Sequence, residues 1–592
     1  MFTLLIPQTV IAEPVSEITV YGTRLPTTLS EAGTSISVIT AEEIRRKGHD
    51  YVIDALADVP GVSVNQNGAF GGSGFVRTRG ASANGHTLVL IDGVAVNDPT
   101  SVGNAFDFAS LDATHIERIE ILKGGQATLW GSDAMAGVVS ITTKQPEAAE
   151  FSGHIEAGSF NTFRTGLALG GVRGRASGRV AVNYQESDGI SKADEDDGNT
   201  EEDGFEGLSL SAKGRVAVSD RLRVDAALYA ISSTAEFDAF GPADGEALAD
   251  NDQIVASLAA RYAASEHVTH DMQLGFTRVE RDNYGADAYA FGESGSRLQL
   301  RYQSAVRLSD TSRTAFGADF EEIKSEALGP DDEADIASLF GLYEISPHDR
   351  LTLTAGLRHD DHSLFGDELT GRATAAFDLS ETVSLRAAYS QGRKAPTLDE
   401  LNDSPSLQPE ETDSLDLGFT YQGAKGLVLD LTYFRQDTEN LLQYVGVWPC
   451  PANCYANVNE AETEGVEVSA QMELTDVLTL TADYTFTDAA TGDGQRLGRI
   501  PEHAGNLTLG YDSGAAFSAN LIVRYNGSEP DRNGSTVLLD SWTRIDANAA
   551  YDLESGWQLY GRVENLFDED YQQVLGYGTP GLSAYMGVRF GL

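Results

Sequence analysis

Positive charge is what this sequence most lacks. Against 90 Asp and Glu it sets only 41 Lys and Arg, a formal net charge of −49. Phosphate backbones are bound by basic surfaces, so nucleic acid is excluded as a partner. Long apolar runs are missing too, and no stretch nears the roughly 18 residues that mark a membrane-spanning helix. Proline is sparse, at 17 of 592, whereas the 61 glycines exceed the usual share of about 7%. Disorder does not fit 22 Tyr, 24 Phe and 4 Trp set in regular apolar alternation. What remains is a very large soluble protein or a membrane protein made of strands.

Cysteine is nearly absent as well. The only two, Cys450 and Cys454, lie in WPCPANCYAN between strand-like segments. Such a close pair suits a local disulfide in an oxidising compartment, with two free thiols as the alternative. A metal site there lacks further ligands. At the N-terminus, residues 1–12 hold a short apolar stretch broken by Pro7, and Val10-Ile11-Ala12 suits a signal-peptidase site. No basic n-region precedes it, so a truncated or mis-started signal peptide is expected, with a ragged soluble terminus as the alternative.

The chain changes texture near residue 146. Before it, a helical stretch is expected through AEEIRRKGHDYVIDALADVP, with Ile44, Val52, Leu56 and Val59 near helical spacing, followed by the short strands HTLVLIDG, IERIEILKGG and GVVSITTK. That reads as one α+β domain of ordinary size. Beyond it, period-two runs dominate. In RLRVDAALYA, Leu222, Val224, Ala226 and Leu228 alternate with Arg221, Arg223 and Asp225, and LTLTADYTF and LVLDLTYF repeat the pattern. Alternation alone also suits a soluble sandwich. Persistence decides: many runs reach the 9–11 residues a membrane strand needs, with aromatics such as Tyr484 and Trp557 near their ends. Short turns alternate with long polar loops. About 440 residues at roughly 20 per strand and connection give on the order of 22 antiparallel strands, a transmembrane barrel large enough to need a plug.

Several segments in order carry a resemblance. They are EITVYGTR at 17–24, SVITAEEI at 37–44, DALADVPGVSV at 54–64, VRTRGAS at 76–82, TLVLIDGV at 87–94 and IERIEILKGGQATLWGSDAMAGVVSITTK at 116–144. RKAPTLDEL, LQPEETDSLDLG and the C-terminal NLFDEDYQQVLGYGTPGLSAYMGVRF complete the set. In order and spacing the chain resembles the TonB-dependent outer-membrane receptors over nearly its whole length. It departs from them at Lys123-Gly124-Gly125, where the family has Arg-Gly-Pro, and at Leu592, where it ends in an aromatic. The resemblance implies a coupling segment at 13–24, a plug at 25–146 and a barrel at 147–592.

It also implies roles. Glu17, Ile18, Thr19, Val20, Tyr21 and Gly22 match the TonB box, through which the TonB–ExbB–ExbD complex delivers proton-motive energy. A β-prone segment beside a mobile terminus can pair with a partner's sheet edge, although it can equally be the plug's first strand. Arg77, Arg79, Arg118 and Lys123 are candidates to pair with barrel carboxylates, or are merely solvated. The plug loops holding Asn65, Gln66, Asn67 and Gly68, and Ser101 and Val102, are expected to face the substrate, or to be simple tight turns. Within the family, GSDAMAGVV and the C-terminal stretch look closer to the cobalamin transporters than to siderophore receptors. Glu201, Asp203, Asp238 and Asp250 match the calcium-binding loops of those transporters, with Phe237 replacing a Tyr and Ser191 an Asp, while a chain this acidic places carboxylates in any loop. The expected function is energised import of cobalamin (vitamin B12), with a ferric siderophore as the alternative.

No nucleophile elbow, HExxH or P-loop is present, so no enzyme activity is expected. His359 and His362 with Asp360 and Asp361 form a cluster better read as strand and turn than as a hydrolase centre. A secreted calcium-rich β enzyme or adhesin would show internal repeats, and a passive porin would not carry a plug of about 130 residues.

Overall fold

The computed structural model describes residues 19–591 except 21, 83–84, 240–242, 286–287, 328–331, 447–452 and 554–555. Among the described residues, 22 antiparallel strands close into a barrel. It runs from the strand Glu150–Gly158 to Ser583–Gly591, and these two pair with each other, Ser152 opposite Gly591 and Gly158 opposite Tyr585. Burial along the strands is inverted relative to a soluble sandwich. Leu298 and Leu300 are 39% and 48% exposed, while their neighbours Arg297 and Gln299 are 2% and 3% exposed. An apolar outer face with a polar, filled lumen is the pattern that lipid imposes. No described helix is long and apolar enough to cross a membrane.

One end of the barrel carries two-residue turns such as 174–175 and 349–350. The other carries the long connections 188–204, 395–409, 527–541 and 565–582. By the barrel rule the short turns face the periplasm and the long loops face outward. Strands such as Ala243–Ala263 and Ala288–Ser309, at 21 and 22 residues, are twice the length that crosses the membrane and carry the wall outward.

The plug fills the lumen. Its five-stranded sheet orders Ile36–Thr40, Ile116–Lys123, Gly137–Thr143, Thr87–Ile91 and Val94–Ala95, with only the Thr87–Ile91 and Gly137–Thr143 pair parallel. Ile39, Ile119, Ile121, Val139 and Ile141 from the sheet pack against Ile44, Val52 and Leu56 from the helices. The single helix expected over 41–60 is two, Ala41–Lys47 and Val52–Leu56. The reason is Gly48, which takes φ 75° and caps the first helix in the left-handed region while its N–H bonds back to the Ile44 carbonyl. Thr40 closes the other end by accepting from the Glu43 N–H.

Cys454 is disulfide-bonded. The sequence's other cysteine, Cys450, lies outside the described residues.

Candidate functional site

Of the expected coupling box, Glu17, Ile18 and Tyr21 lie outside the described residues. Thr19 and Val20 form a two-residue strand paired with Thr28 and Thr27. Val20 is fully buried. The Gly22 N–H donates to Glu120 Oε2 at 2.8 Å, and Trp130 Nε1 donates to the Gly22 carbonyl at 2.7 Å. A Cβ at position 22 would meet Leu122 Cδ1 at 2.6 Å, so glycine is what permits this close seat. Thr19, Val20 and Gly22 are thus bonded within the molecule.

Two residues further, Arg24 is the anchor. Its Nη2 lies 2.7 Å from Asp319 of the barrel, its Nε donates to the Leu129 carbonyl, and its guanidinium stacks 4.2 Å from the Trp130 ring centroid. Asp319 also receives Arg358 at 2.9 Å. Arg358, Asp319 and Trp130 in turn line a cleft of about 70 Å³ between the plug and the outward half of the barrel. That volume holds only a few waters.

Ion pairs tie the plug to the wall. Arg79, 1% exposed, gives Asp416 2.7 Å and Glu467 2.8 Å, and Lys123 reaches the same Glu467 at 3.0 Å. Asp58 pairs with Arg524, Asp133 with Arg297 and Asp92 with Lys213 at 2.6–2.8 Å. The other two cations named from the sequence pair inside the plug instead, Arg118 with Glu120 and Arg77 with the Asn65 amide.

The expected substrate loops are covered. Asn65 Nδ2 donates to the Gln573 carbonyl at 3.2 Å, and the Gln66 N–H donates to Gln573 Oε1 at 2.9 Å. Asn67 turns back to Ser73, and Gly68 sits at φ 73° where a Cβ would meet Lys192 at 2.7 Å. Ser101 is internally bonded to Ala105, while Val102 remains 45% exposed. Gln573 and Lys192 are neighbours of these loops that sequence reasoning missed. Gln573 was visible only as part of the C-terminal motif, and nothing marked it as a lid over the plug.

Three of the four expected calcium residues converge. Glu201, Asp203 and Asp238 bring carboxylate oxygens within 4.8 Å of one another. Asp250 does not join them: it stands opposite Asp282 on the barrel strand and accepts from Thr234 Oγ1 at 2.6 Å. A register shift between Phe237 and Ala239 separates the two aspartates' faces, because a bulge resets the alternation and Asp238 is buried. Lys192 is buried near Asp203 and Asp238, its backbone N–H donating to Asp203 Oδ2 at 2.6 Å and its Nζ to the Glu236 carbonyl. Burial pulls the Lys192 ammonium down to about 8 despite Asp203 and Asp238, and burial with Glu201 nearby raises Asp203 above its usual range. Backbone bonds then link this loop to the lid, from the Asp194 N–H to the Gly576 carbonyl and from the Gly578 N–H to the Lys192 carbonyl. His359 and His362 are not brought together: His359 pairs with Asp367 on the outer face, while His362 lines the inner cleft.

Comparison with known proteins agrees with this architecture. The family described as TonB dependent receptor-like, beta-barrel, matches residues 148–566, and the TonB-dependent Receptor Plug Domain matches 28–138. The chain is similar to Vitamin B12 transporter BtuB of Vibrio vulnificus (strain CMCP6), at 28% identity over 95% of this chain and 93% of that protein. The protein of the same name from Photobacterium profundum is 26% identical over 93% and 91%. Among solved structures, a mutant ferric enterobactin receptor (PfeA) of Pseudomonas aeruginosa superposes with a TM-score of 0.81 at 20% identity, covering 94% of this chain and 98% of that one. Siderophore receptor PirA of Acinetobacter baumannii gives 0.81 at 17%, with the same coverage, and these likenesses establish the fold. With the barrel family covering well over half of its length, the chain belongs to the TonB-dependent receptors, which carry large nutrients across the bacterial outer membrane.

Proposed function

We propose that the cargo is cobalamin. The observation that carries this reading is likeness along nearly the whole chain, plug and barrel together, to relatives named vitamin B12 transporters. The charge of the outward cleft supports it. Its four arginines, among them Arg297 and Arg358, face five carboxylates, among them Asp133 and Asp319, so the lining offers no cationic surplus to a multiply charged anion. A bulky neutral amide-bearing macrocycle suits that balance better.

Calcium belongs to the same proposal. Glu201, Asp203 and Asp238 offer the hard oxygen donors that Ca²⁺ prefers, and the ion would add positive charge to a buried carboxylate cluster that now has Lys192 and the Ala193 and Gly245 N–H groups beside it. Bound there, it would fix the 188–204 loop and, through the Asp194–Gly576 contact, the lid over Asn65 and Gln66. Residues 17–22 are the coupling box in this reading, drawn out of their seat by the TonB–ExbB–ExbD complex.

A ferric siderophore is the second reading, since the solved receptors that share the fold are named for siderophores. Equilibrium binding to the detergent-solubilised protein separates the two. Cyanocobalamin bound tightly, and less tightly under chelation, supports the first reading with its calcium. A ferric catecholate bound in its place, with cyanocobalamin ignored, sinks it.

A further inference from the structure

The short-turn end of the barrel holds a second cleft that the transport reading leaves unused. About 550 Å³ in volume, it lies between the plug and the strands that close the barrel. That size is within the range of small-molecule sites. In a protein of net charge −49, its lining carries seven arginine and lysine side chains against three carboxylates. Two of the seven, Arg164 and Arg562, are engaged by Asp50, with Asp112 and Glu156 behind them. Five remain, Arg45, Arg46, Lys144, Arg179 and Arg589; the other carboxylates of the lining are Glu150 and Asp552, while Glu117 stands near Lys144 from the neighbouring cleft, which Arg45 and Lys144 also line.

This surplus is not a general property of that rim. The larger neighbouring cleft, of about 1220 Å³, sets six cationic side chains against seven acidic ones. Nor is the surplus a matter of solvated surface alone. Arg179 is 6% exposed, its Nε is held by Glu150 at 3.1 Å, and its Nη1 has no hydrogen-bond partner. A buried guanidinium nitrogen without an acceptor is strongly unfavourable unless something fills the place. Lys144, whose Nζ donates to the Thr114 carbonyl, is pulled down to about 8 by burial and then by Arg179 and Arg45. Like charges crowded at low dielectric have this effect, and a bound anion reverses it.

We propose that this cleft is a periplasm-facing anion site for a phosphate group, with Arg179 and Lys144 as its inner ligands and Arg45 at its mouth. Guanidinium forks match phosphate oxygens in pairs, and a dianion answers a surplus of this size better than a single carboxylate. The depth of Arg179 excludes a folded partner. Two sources present the same chemistry at this level of the barrel: phospholipid headgroups of the inner leaflet and free phosphate of the periplasm.

The test uses the intact protein in two arms and does not depend on the identity of the cargo. In detergent, inorganic phosphate is titrated at constant ionic strength and followed by phosphorus NMR. In nanodiscs of phosphatidylglycerol, native mass spectrometry reads the retained lipid. Arg179→Gln and Lys144→Gln are expected to weaken whichever ligand is held by about tenfold or more, the loss of one charge-assisted contact. Because Arg179→Gln can disturb the barrel seam, Arg45→Gln, at an exposed helix position, serves as the variant that folds. Heat-modifiable gel mobility checks the barrel in each. Binding in the first arm alone identifies free phosphate, and binding in the second identifies lipid. If the wild type holds neither, or if all variants hold either equally, the proposal is overturned.

Discussion

Arg24 and Asp319 stand 295 residues apart in the chain and 2.7 Å apart in space. The first belongs to the segment that ends the coupling region and the second to the barrel wall, where it is shared with Arg358 of the outward cleft. One carboxylate thus touches both the outward cleft and the N-terminal segment, which in the proposed reading are where cargo arrives and where force is applied. Asp319→Asn removes the buried partner of Arg24, a loss of about 3–5 kcal/mol in such pairs. A spin label at Thr19 is expected to become mobile in the cargo-free variant. An unchanged, immobilised spectrum would count against the latch.

Val20 tests the coupling itself. Its replacement by Pro removes the ladder N–H that any partner strand would use. Uptake is expected to vanish while equilibrium binding of cargo stays within about twofold. Loss of binding in that variant would refute the assignment of the segment.

Glu467 holds two plug cations, Arg79 and Lys123. Glu467→Gln leaves both buried with one fewer counter-charge, and the plug is expected to lose a few kcal/mol of docking stability. The reading is a plug that becomes susceptible to urea and protease at lower concentration, while the barrel's β signal is unchanged. Equal resistance in wild type and variant would show that water already shares those contacts.

Asp399 makes the outer loop 395–409 sensitive to rising pH. Burial, then neighbouring Glu293 and Asp98, push its carboxyl up to about 7, while Ser325 Oγ donates to it at 3.2 Å. A raised folded pKa means that the stabilising contribution is complete below the unfolded value near ~4 and is lost as pH rises through about 7. Proteolysis of this loop should therefore be slower at low pH than at high pH, and Asp399→Asn should flatten the dependence. A wild-type rate that does not vary with pH contradicts it.

Lys192, whose Nζ donates to the Glu236 carbonyl, puts a positive charge beside Asp203 and Asp238 of the proposed calcium site. Lys192→Met removes the competing charge, so the heat-denaturation midpoint in detergent should rise further on adding Ca²⁺ than it does in the wild type. A midpoint indifferent to Ca²⁺ in both proteins would remove the calcium proposal.

The barrel was legible because its physics is local: Leu298, Leu300 and their neighbours declare a face by parity alone. The plug's strands were legible for the same reason. What the sequence concealed depends on contacts between remote residues. Gln573 covers Asn65 across 508 positions of chain. Asp250 joins Asp238 in the resemblance to the calcium-binding loops, but the register shift beyond Phe237 turns the two to different surroundings. Gly48 was plain to see, yet the heptad-like spacing of Ile44, Val52 and Leu56 masked its role as a helix stop.

Pairing of Glu150–Gly158 with Ser583–Gly591 has a consequence for the order of assembly. The ring cannot shut until its final strand is available, by which time the N-terminal plug has already been synthesised. In the finished molecule the closed ring surrounds the plug like a cork inside hooped staves. A cargo that later needs a passage must get it from rearrangement of that cork, because the hoop of hydrogen bonds around it has no free edge left to open.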